Sequence, residues 1–338
     1  MLYLISPNQK QYKANLHCHS VGSDGRKTPE ELKKMYMEHG YSILSITDHE
    51  TPKNHSYLSD GDFLTITGYE AYIRPNEGCV FDGYNSEVHL NLFARDPENE
   101  AIVCYNAACC KYIPEEEHAK YEKVGPLKTR EYSVEYINEF IQVAKDNGYL
   151  VAYNHPCWSM EDESTIMSYE GIFSMEMCNY SSCLLNATEY NSVLYNKMLN
   201  NGMRVFCHSA DDNHNKEPDD SIYCDSFGGF TMIMPKGFTY DSVIEAMETG
   251  EMYSSMGPLF KEVSMEGNKI HIECSDVKMI VVFTGSKTPR QLIAENGCTV
   301  NCADFEIEDR AKYVRVSIVD EHGRYADTRG YFRDELEF

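Results

Sequence analysis

The segment that decides the fold runs Tyr12-Lys13-Ala14-Asn15-Leu16-His17-Cys18-His19. It is followed by Ser23-Asp24-Gly25 and then by Thr47-Asp48-His49. Residues 12–16 read as a short strand that delivers His17 and His19 at its end, and residues 41–47 as a buried strand that delivers Asp48 and His49. Imidazole and carboxylate are the preferred ligands of zinc, manganese and iron. Side chains at the ends of parallel strands can meet at one mouth. The pattern points to an α/β sheet carrying a metal centre.

Between these strands, Thr28-Pro29-Glu30-Glu31 has the form of a helix start, with Thr28 as cap, Pro29 in the first turn and Glu31 completing a capping box. Leu32, Met35 and Tyr36 follow at helical spacing, and His39-Gly40 closes the helix. Further on, residues 63–67 form a strand leading into Gly68-Tyr69-Glu70, and residues 87–94 form another around His89. Residues 96–130 are a Cys-, Tyr- and Glu-rich insertion, placed to cover the site. Residues 134–147 read as an amphipathic helix. Strands are expected at 149–154, stopping at His155-Pro156, at 172–177, and at 204–207, ending in His208-Ser209-Ala210-Asp211-Asp212-Asn213-His214. A strand at 230–234 and a helix at 240–249 complete the series. Successive strand–helix units favour a parallel sheet closed into a barrel. After Met256-Gly257-Pro258 the texture changes to short strands without a long helix, which predicts a first domain over 1–257 and a small β-sandwich module over 258–338.

One His-x-His pair means little, because 12 histidines in 338 residues give roughly 0.4 such pairs by chance. A single histidine at a strand end is more often a packed or capping residue. Here, however, His17/His19, His49, Glu70, His155 and Asp212/His214 each follow a predicted strand, and His89 lies inside a sixth. His39, His55, His118, His208, His271 and His322 lack such company and read as surface or packing residues.

The net charge of −24 disfavours long nucleic acid and anionic membrane as partners, although bound cations would reverse the field inside a cleft. No apolar run is long enough to span a bilayer, and the opening Met1-Leu2-Tyr3-Leu4-Ile5 is too short for a signal segment. Thirteen cysteines without a CxxC pair suggest a reducing cytoplasm, where they fill space, with a vicinal Cys109–Cys110 disulfide as the minor alternative. Oligomeric state is not legible.

Together these motifs resemble the polymerase and histidinol phosphatase (PHP) superfamily. His17-x-His19 with Ser23-Asp24-Gly25 and the Thr28-Pro29-Glu30-Glu31-Leu32 helix start is similar to its first motif. Thr47-Asp48-His49, Asn154-His155-Pro156 and Asp212-Asn213-His214 are similar to the next three, and Gly68-Tyr69-Glu70 and Glu87-Val88-His89-Leu90 to the intervening ligand segments. The resemblance covers residues 12–257 and implies a distorted (β/α)7, TIM-like barrel with metals at its mouth. It also implies three divalent transition metals, manganese, iron or zinc. The first would be held by His17, His19, Glu70 and Asp212, the second by Glu70, His89 and His155, and the third by Asp24, His49 and His214. Asp211 is an alternative to Asp212, and Asp48 would orient the site from behind.

Such a cluster can lower the pKa of water from 15.7 to about 7. The expected reaction is therefore hydrolysis of a small phosphoester, a phosphate monoester or nucleotide, by metal-activated hydroxide, with Asp212, Glu70 and His214 as the closest protein groups. Arg74 and Arg26, then Lys27 and Lys216, are candidate phosphate contacts, with Arg74 preferred. The tyrosines, 25 in all, could line a pocket for a base or sugar, or simply pack. Two alternatives remain: hydrolysis of a C–N bond, and a non-catalytic binding protein on the same barrel.

Overall fold

The computed structural model describes residues 1–75, 81, 83–187 and 190–336. In chain order the elements are β1 (Leu2–Ile5), β2 (Tyr12–Asn15), α1 (Pro29–Glu38), β3 (Ile43–Ile46), β4 (Leu64–Ile73), β5 (Val88–Ala94), β6 (Ile102–Val103), β7 (Lys123–Val124), α2 (Val134–Asp146) and β8 (Tyr149–Tyr153). There follow α3 (Glu163–Ile166), β9 (Ser174–Asn179), α4 (Tyr180–Asn186), α5 (Ser192–Asn200), β10 (Phe206–Ala210), β11 (Phe230–Ile233), α6 (Tyr240–Thr249) and β12 (Met252–Ser255). The remaining strands are β13 (Phe260–Glu266), β14 (Lys269–Val277), β15 (Met279–Phe283), β16 (Arg290–Ile293), β17 (Val300–Glu306), β18 (Tyr313–Val319), β19 (Tyr325–Thr328) and β20 (Tyr331–Phe332).

Local chemistry sets the first helix as its sequence suggests. The Thr28 side chain accepts from the Glu31 amide, the Glu31 carboxylate accepts from the Thr28 amide, and Leu32, Met35 and Tyr36 are the buried face. Gly40 takes φ +76° just beyond the His39 cap, a left-handed conformation that favours glycine.

One large sheet runs β10-β9-β8-β5-β4-β3-β2-β11-β12-β19-β18-β15-β16, with β20 paired to β18. β2, β3 and β4 are parallel, as are β8, β9 and β10, whereas β5 is antiparallel to both its neighbours. Ala14, Ile43, Leu64, Ile66, Phe93, Leu150, Ala152 and Ile233, from six of these strands, join Val243 and Met247 of α6 in one apolar cluster. The sheet therefore curls around a common core.

The expected closed barrel is not what forms, because no strand ladder joins β10 to β11 or β2. The Thr231 hydroxyl occupies that gap, donating to Ser209 O at 2.8 Å and accepting from the Ser209 amide at 3.2 Å. Beyond the strand ends the two chains do meet. Asp212 N donates to His17 O at 2.9 Å, His19 N donates to Asn213 O at 3.0 Å, and Cys18 and Asn213 form an isolated parallel bridge.

The C-terminal stretch also differs from a self-contained sandwich. Its β13, β14 and β17 form an antiparallel sheet with the N-terminal β1, while β19, β18, β15 and β16 extend the large sheet through β12. Side chains from both layers, including Val263, Ile272, Val316 and Ile318, share a single core. The long-range edge pairing of β1 with β13 is one that local sequence does not reveal. The minor alternative of a vicinal disulfide is not what forms, since Cys110 is a thiol, and the reading of every cysteine as a reduced space-filler fails at Cys109, which is disulfide-bonded. No helix among the described residues is long and apolar enough to cross a membrane.

Candidate metal centre

Six segments bring nine side chains to the mouth of the curled sheet. His17, His19 and Asp24 follow β2, His49 follows β3, His155 follows β8, and Asp212 and His214 follow β10. Glu70 is a correction to the expected strand end, since β4 continues through it to Ile73. His89 lies at the start of β5, and because β5 runs against its neighbours, that start is the end facing the mouth; Tyr72 pairs with His89. A backbone bridge sets His49 beside Glu70.

The Glu70 carboxylate is the hub. Its Oε1 lies 3.0 Å from His89 Nδ1, 3.2 Å from His17 Nε2 and 3.3 Å from His155 Nε2. Its Oε2 lies 2.9 Å from His49 Nδ1 and 3.4 Å from His19 Nε2. Asp212 Oδ1 stands 3.0 and 3.1 Å from His19 Nε2 and His17 Nε2. Asp24 Oδ1 is 3.4 Å from His214 Nε2 and 3.8 Å from both His49 Nε2 and His19 Nδ1. At the mouth, three groups among the described residues have ligand atoms close enough to share an ion: His17/His19/Asp212, His49/Glu70/His89, and His19/Asp24/His49/His214. His19 and His49 thus each fall in two groups, a tighter overlap than the partition implied by the family resemblance.

The donor set fits cations better than it fits itself. His17 Nε2 and His19 Nε2 face one another at 3.3 Å, both beside the same Asp212 oxygen. His49 Nδ1 is buried and makes no hydrogen bond, although Glu70 Oε2 is 2.9 Å away. Such nitrogens aim at a common point instead of at a proton donor. Burial resists charge on His17, yet the Asp212, Glu70 and Glu176 carboxylates hold its pKa well above the ordinary value. Burial and the neighbouring His214 and His49 imidazoles push His19 down to about 4. Glu70 is held well below the usual carboxylate range, against its burial, by His17, His89 and His49. Bound dications would take over the role of these imidazolium charges and release protons.

Asp211 and Asp212 separate clearly. Asp211 accepts from the amides of Phe227, Gly228 and Gly229 and from the Tyr36 hydroxyl, at 2.8–3.0 Å, which uses its four lone-pair positions. Asp212 adopts φ +53° and points into the cluster. His155, at φ +26°, is another candidate ligand on left-handed backbone, and strain at functional positions is expected to be held by the surrounding structure. Gly25 is required at its position because a Cβ there would sit 2.3 Å from the His19 carbonyl oxygen. Asp48 braces the same turn through Ser20 and Ser23 at 2.5–2.7 Å.

Behind the ligands lies a layer the sequence reading missed. Glu176 on β9 is fully buried, accepts from His17 Nδ1 at 2.7 Å and from the His155 amide at 2.7 Å, and also takes a bond from Asn179. Asn179 in turn donates to Asp212 Oδ2 at 3.1 Å, and Asn154 donates to Glu70 Oε1 at 2.8 Å. These partners fix ring orientation and tautomer. The available signal was a lone carboxylate inside the otherwise buried strand at 172–177.

A cavity of about 660 Å³ opens onto Asp24, His49, Glu70, His89, His155, Asp212 and His214. Arg74 and Lys216 line it, joined by Lys111 and Tyr112 from the insertion at 96–130. Arg74 is nearly buried and paired with Glu87. Arg26 and Lys27 do not line the cavity: the Arg26 side chain is exposed, its amide donating to His214 O, and Lys27 pairs with Asp219 at 3.4 Å.

No family model matches the sequence, and no curated protein does. Among solved structures, the chain is similar to a two-domain protein from Bacteroides vulgatus containing a predicted PHP-like metal-dependent phosphoesterase. That likeness has 12% identity over 100% of this chain and 91% of that one, with a TM-score of 0.47. It is also similar to a candidate metal-dependent phosphoesterase from Bifidobacterium adolescentis, at 16% identity over 71% of this chain and 96% of that one, TM-score 0.42. A third likeness is to an amidohydrolase from Chromobacterium violaceum with bound sulfate and no metal, at 14% identity over 60% of this chain and 87% of that one, TM-score 0.41. These likenesses are distant, and the candidate metal centre rests on its own side-chain geometry.

Proposed function

We propose that this protein is a metal-dependent phosphoesterase that hydrolyses a small phosphoester at a cluster of two or three divalent cations. The observation that carries the reading is the convergence of His17, His19, Asp24, His49, Glu70, His89, His155, Asp212 and His214 around one carboxylate. When bound, divalent manganese, iron or zinc would supply charge neutralisation and water activated at neutral pH.

The chain's own residues have separable tasks in this proposal. Glu70, with both oxygens engaged, spaces the cation positions. Asp212, whose side chain is more open to the cavity than that of Glu70, takes up the proton of the attacking water. His214 and Asp24 would hold an outer cation, which would supply charge neutralisation to the ester's oxygen. Arg74, Lys111 and Lys216 draw a phosphate into a cavity whose surrounding chain is strongly acidic. Residues 1–257 carry the chemistry, and the strands of 258–338 support it from a shared sheet.

Metal-reconstituted protein should hydrolyse an aryl phosphate, and His17→Ala should abolish that turnover. Parallel assays on amides and lactams test the C–N alternative. Turnover of those substrates without phosphoester turnover would overturn the proposal.

A further inference from the structure

We propose that His271, Glu273 and Cys302 form a zinc site on the outer face of the C-terminal sheet, with Asp304 holding His271 from behind. The site shares no residue with the mouth and does not depend on the phosphoesterase reading. His271 and Glu273 are two residues apart on β14, as are Cys302 and Asp304 on β17, and the residues between them, Ile272 and Ala303, are buried. Strand alternation therefore turns all four side chains to the same open face. The ladder sets them side by side, pairing His271 with Asp304 and Glu273 with Cys302. One ligand atom from each of His271, Glu273 and Cys302 lies within 4.8 Å of the others.

The imidazole is oriented as a ligand. Its Nδ1 stands 2.8 Å from Asp304 Oδ1, and its Nε2 faces Glu273 Oε1 at 3.5 Å, toward the Glu273–Cys302 pair. A carboxylate on the far ring nitrogen is the usual brace of a metal-bound histidine, and it fixes the tautomer that leaves Nε2 free. The charge balance points the same way. Glu262 on β13 lies directly across from Glu273, and like charges so placed repel. Among the described residues no lysine or arginine pairs with Glu262, Glu273 or Asp304, which leaves three carboxylates around one imidazole. Imidazole, carboxylate and thiolate together favour zinc over the hard cations, with a fourth position left to water. The β14–β17 ladder loses register between Glu273 and Val277, and β17 is the edge strand of its sheet. A cation bridging Glu273 and Cys302 fastens that edge at its last regular rung.

Co²⁺ serves as a coloured stand-in for Zn²⁺, because a thiolate bound to it adds a near-ultraviolet charge-transfer band. None of the nine side chains at the mouth is a cysteine, so the band reports this site alone. The whole chain, reduced and metal-free, should develop the band on titration with Co²⁺, release the Cys302 thiol proton, and lose the band again when Zn²⁺ is added. Cys302→Ser should abolish the band. Asp304→Asn should weaken Co²⁺ binding by about tenfold, and His271→Ala by more. Glu70→Ala, which disables the mouth, should leave the band unchanged. Mn²⁺, which prefers oxygen donors, should fill the mouth and leave this site empty. None of the substituted side chains on this face is buried, so these variants leave the core intact. The site is overturned by the absence of a band at saturating Co²⁺, by a band that survives Cys302→Ser, or by binding indifferent to His271→Ala. A band lost in Glu70→Ala would place the thiolate at the mouth and overturn it as well.

Discussion

Two clusters of buried polar groups sit at similar depth in this molecule and differ in whether they complete themselves. Arg315 on β18 is fully buried, and the protein satisfies it: Asp327 at 2.6 Å, Ser192 at 3.0 Å and Asn196 at 3.1 Å take its donors, while Phe283 covers its face. At the mouth, six imidazoles and three carboxylates crowd together with nitrogens facing nitrogens and a buried His49 Nδ1 lacking a hydrogen bond. The first cluster is structural because it is closed. The second is not closed by its own groups, and its imidazole and carboxylate composition suits a cation.

The contrast can be broken by mutation. Asp212→Ala should lower kcat/KM for an aryl phosphate by at least about 10³-fold, roughly 4 kcal/mol of transition-state stabilisation, while the denaturation midpoint of the metal-free protein moves little. Asp327→Ala should do the opposite. Leaving Arg315 buried without its counter-ion should cost about 3–5 kcal/mol in urea unfolding, with metal content per folded chain unchanged. If Asp212→Ala destabilised the metal-free fold as severely as Asp327→Ala, the distinction between the clusters would fail.

Much of the mouth was legible because its ligands are announced by local patterns. The Thr28–Glu31 cap, the strand leading to His17, and the strand leading to His49 are set by neighbours in sequence, and the structure contains each. What was not legible depends on distant pairing. The Thr231 hydroxyl in the seam between β10 and β11 meets a partner 22 residues away with no local motif to announce it, and the recruitment of β1 into the sheet of β13, β14 and β17 joins opposite ends of the chain. Glu70 was expected at a strand end and lies within β4, because the antiparallel return of β5 lengthens the pairing. Glu176 was missed because a residue that acts through another bears no motif of its own.

That supporting layer sharpens the comparison with a smaller effect. Glu176→Gln keeps the shape but weakens the hold on His17 Nδ1, and should reduce metal affinity by about 10–100-fold, read by competition with a chelating dye. An unchanged affinity would reduce Glu176 to a packing role.

The smallest effect concerns pH. His208 is buried beside Ser174, at 2.8 Å, and burial pushes its pKa down to about 4. The unfolded chain takes up this proton near the ordinary 6.5, so the stabilising contribution is complete above that pH. It is lost as pH falls towards 4, with a slope of at most about 1.4 kcal/mol per pH unit. His208→Gln should flatten this part of the stability profile relative to the parent protein, measured by urea midpoints between pH 7 and pH 4.5. Parallel profiles would show that His208 does not titrate differently on folding.

The central claim is that the Glu70 hub assembles cation positions, and metal stoichiometry tests it most directly. Protein reconstituted with Mn²⁺, passed through a desalting column and analysed by mass spectrometry should retain two or three ions per chain, and Glu70→Ala no more than one. Retention of less than one ion by the parent protein, or equal retention by the two, would contradict the account.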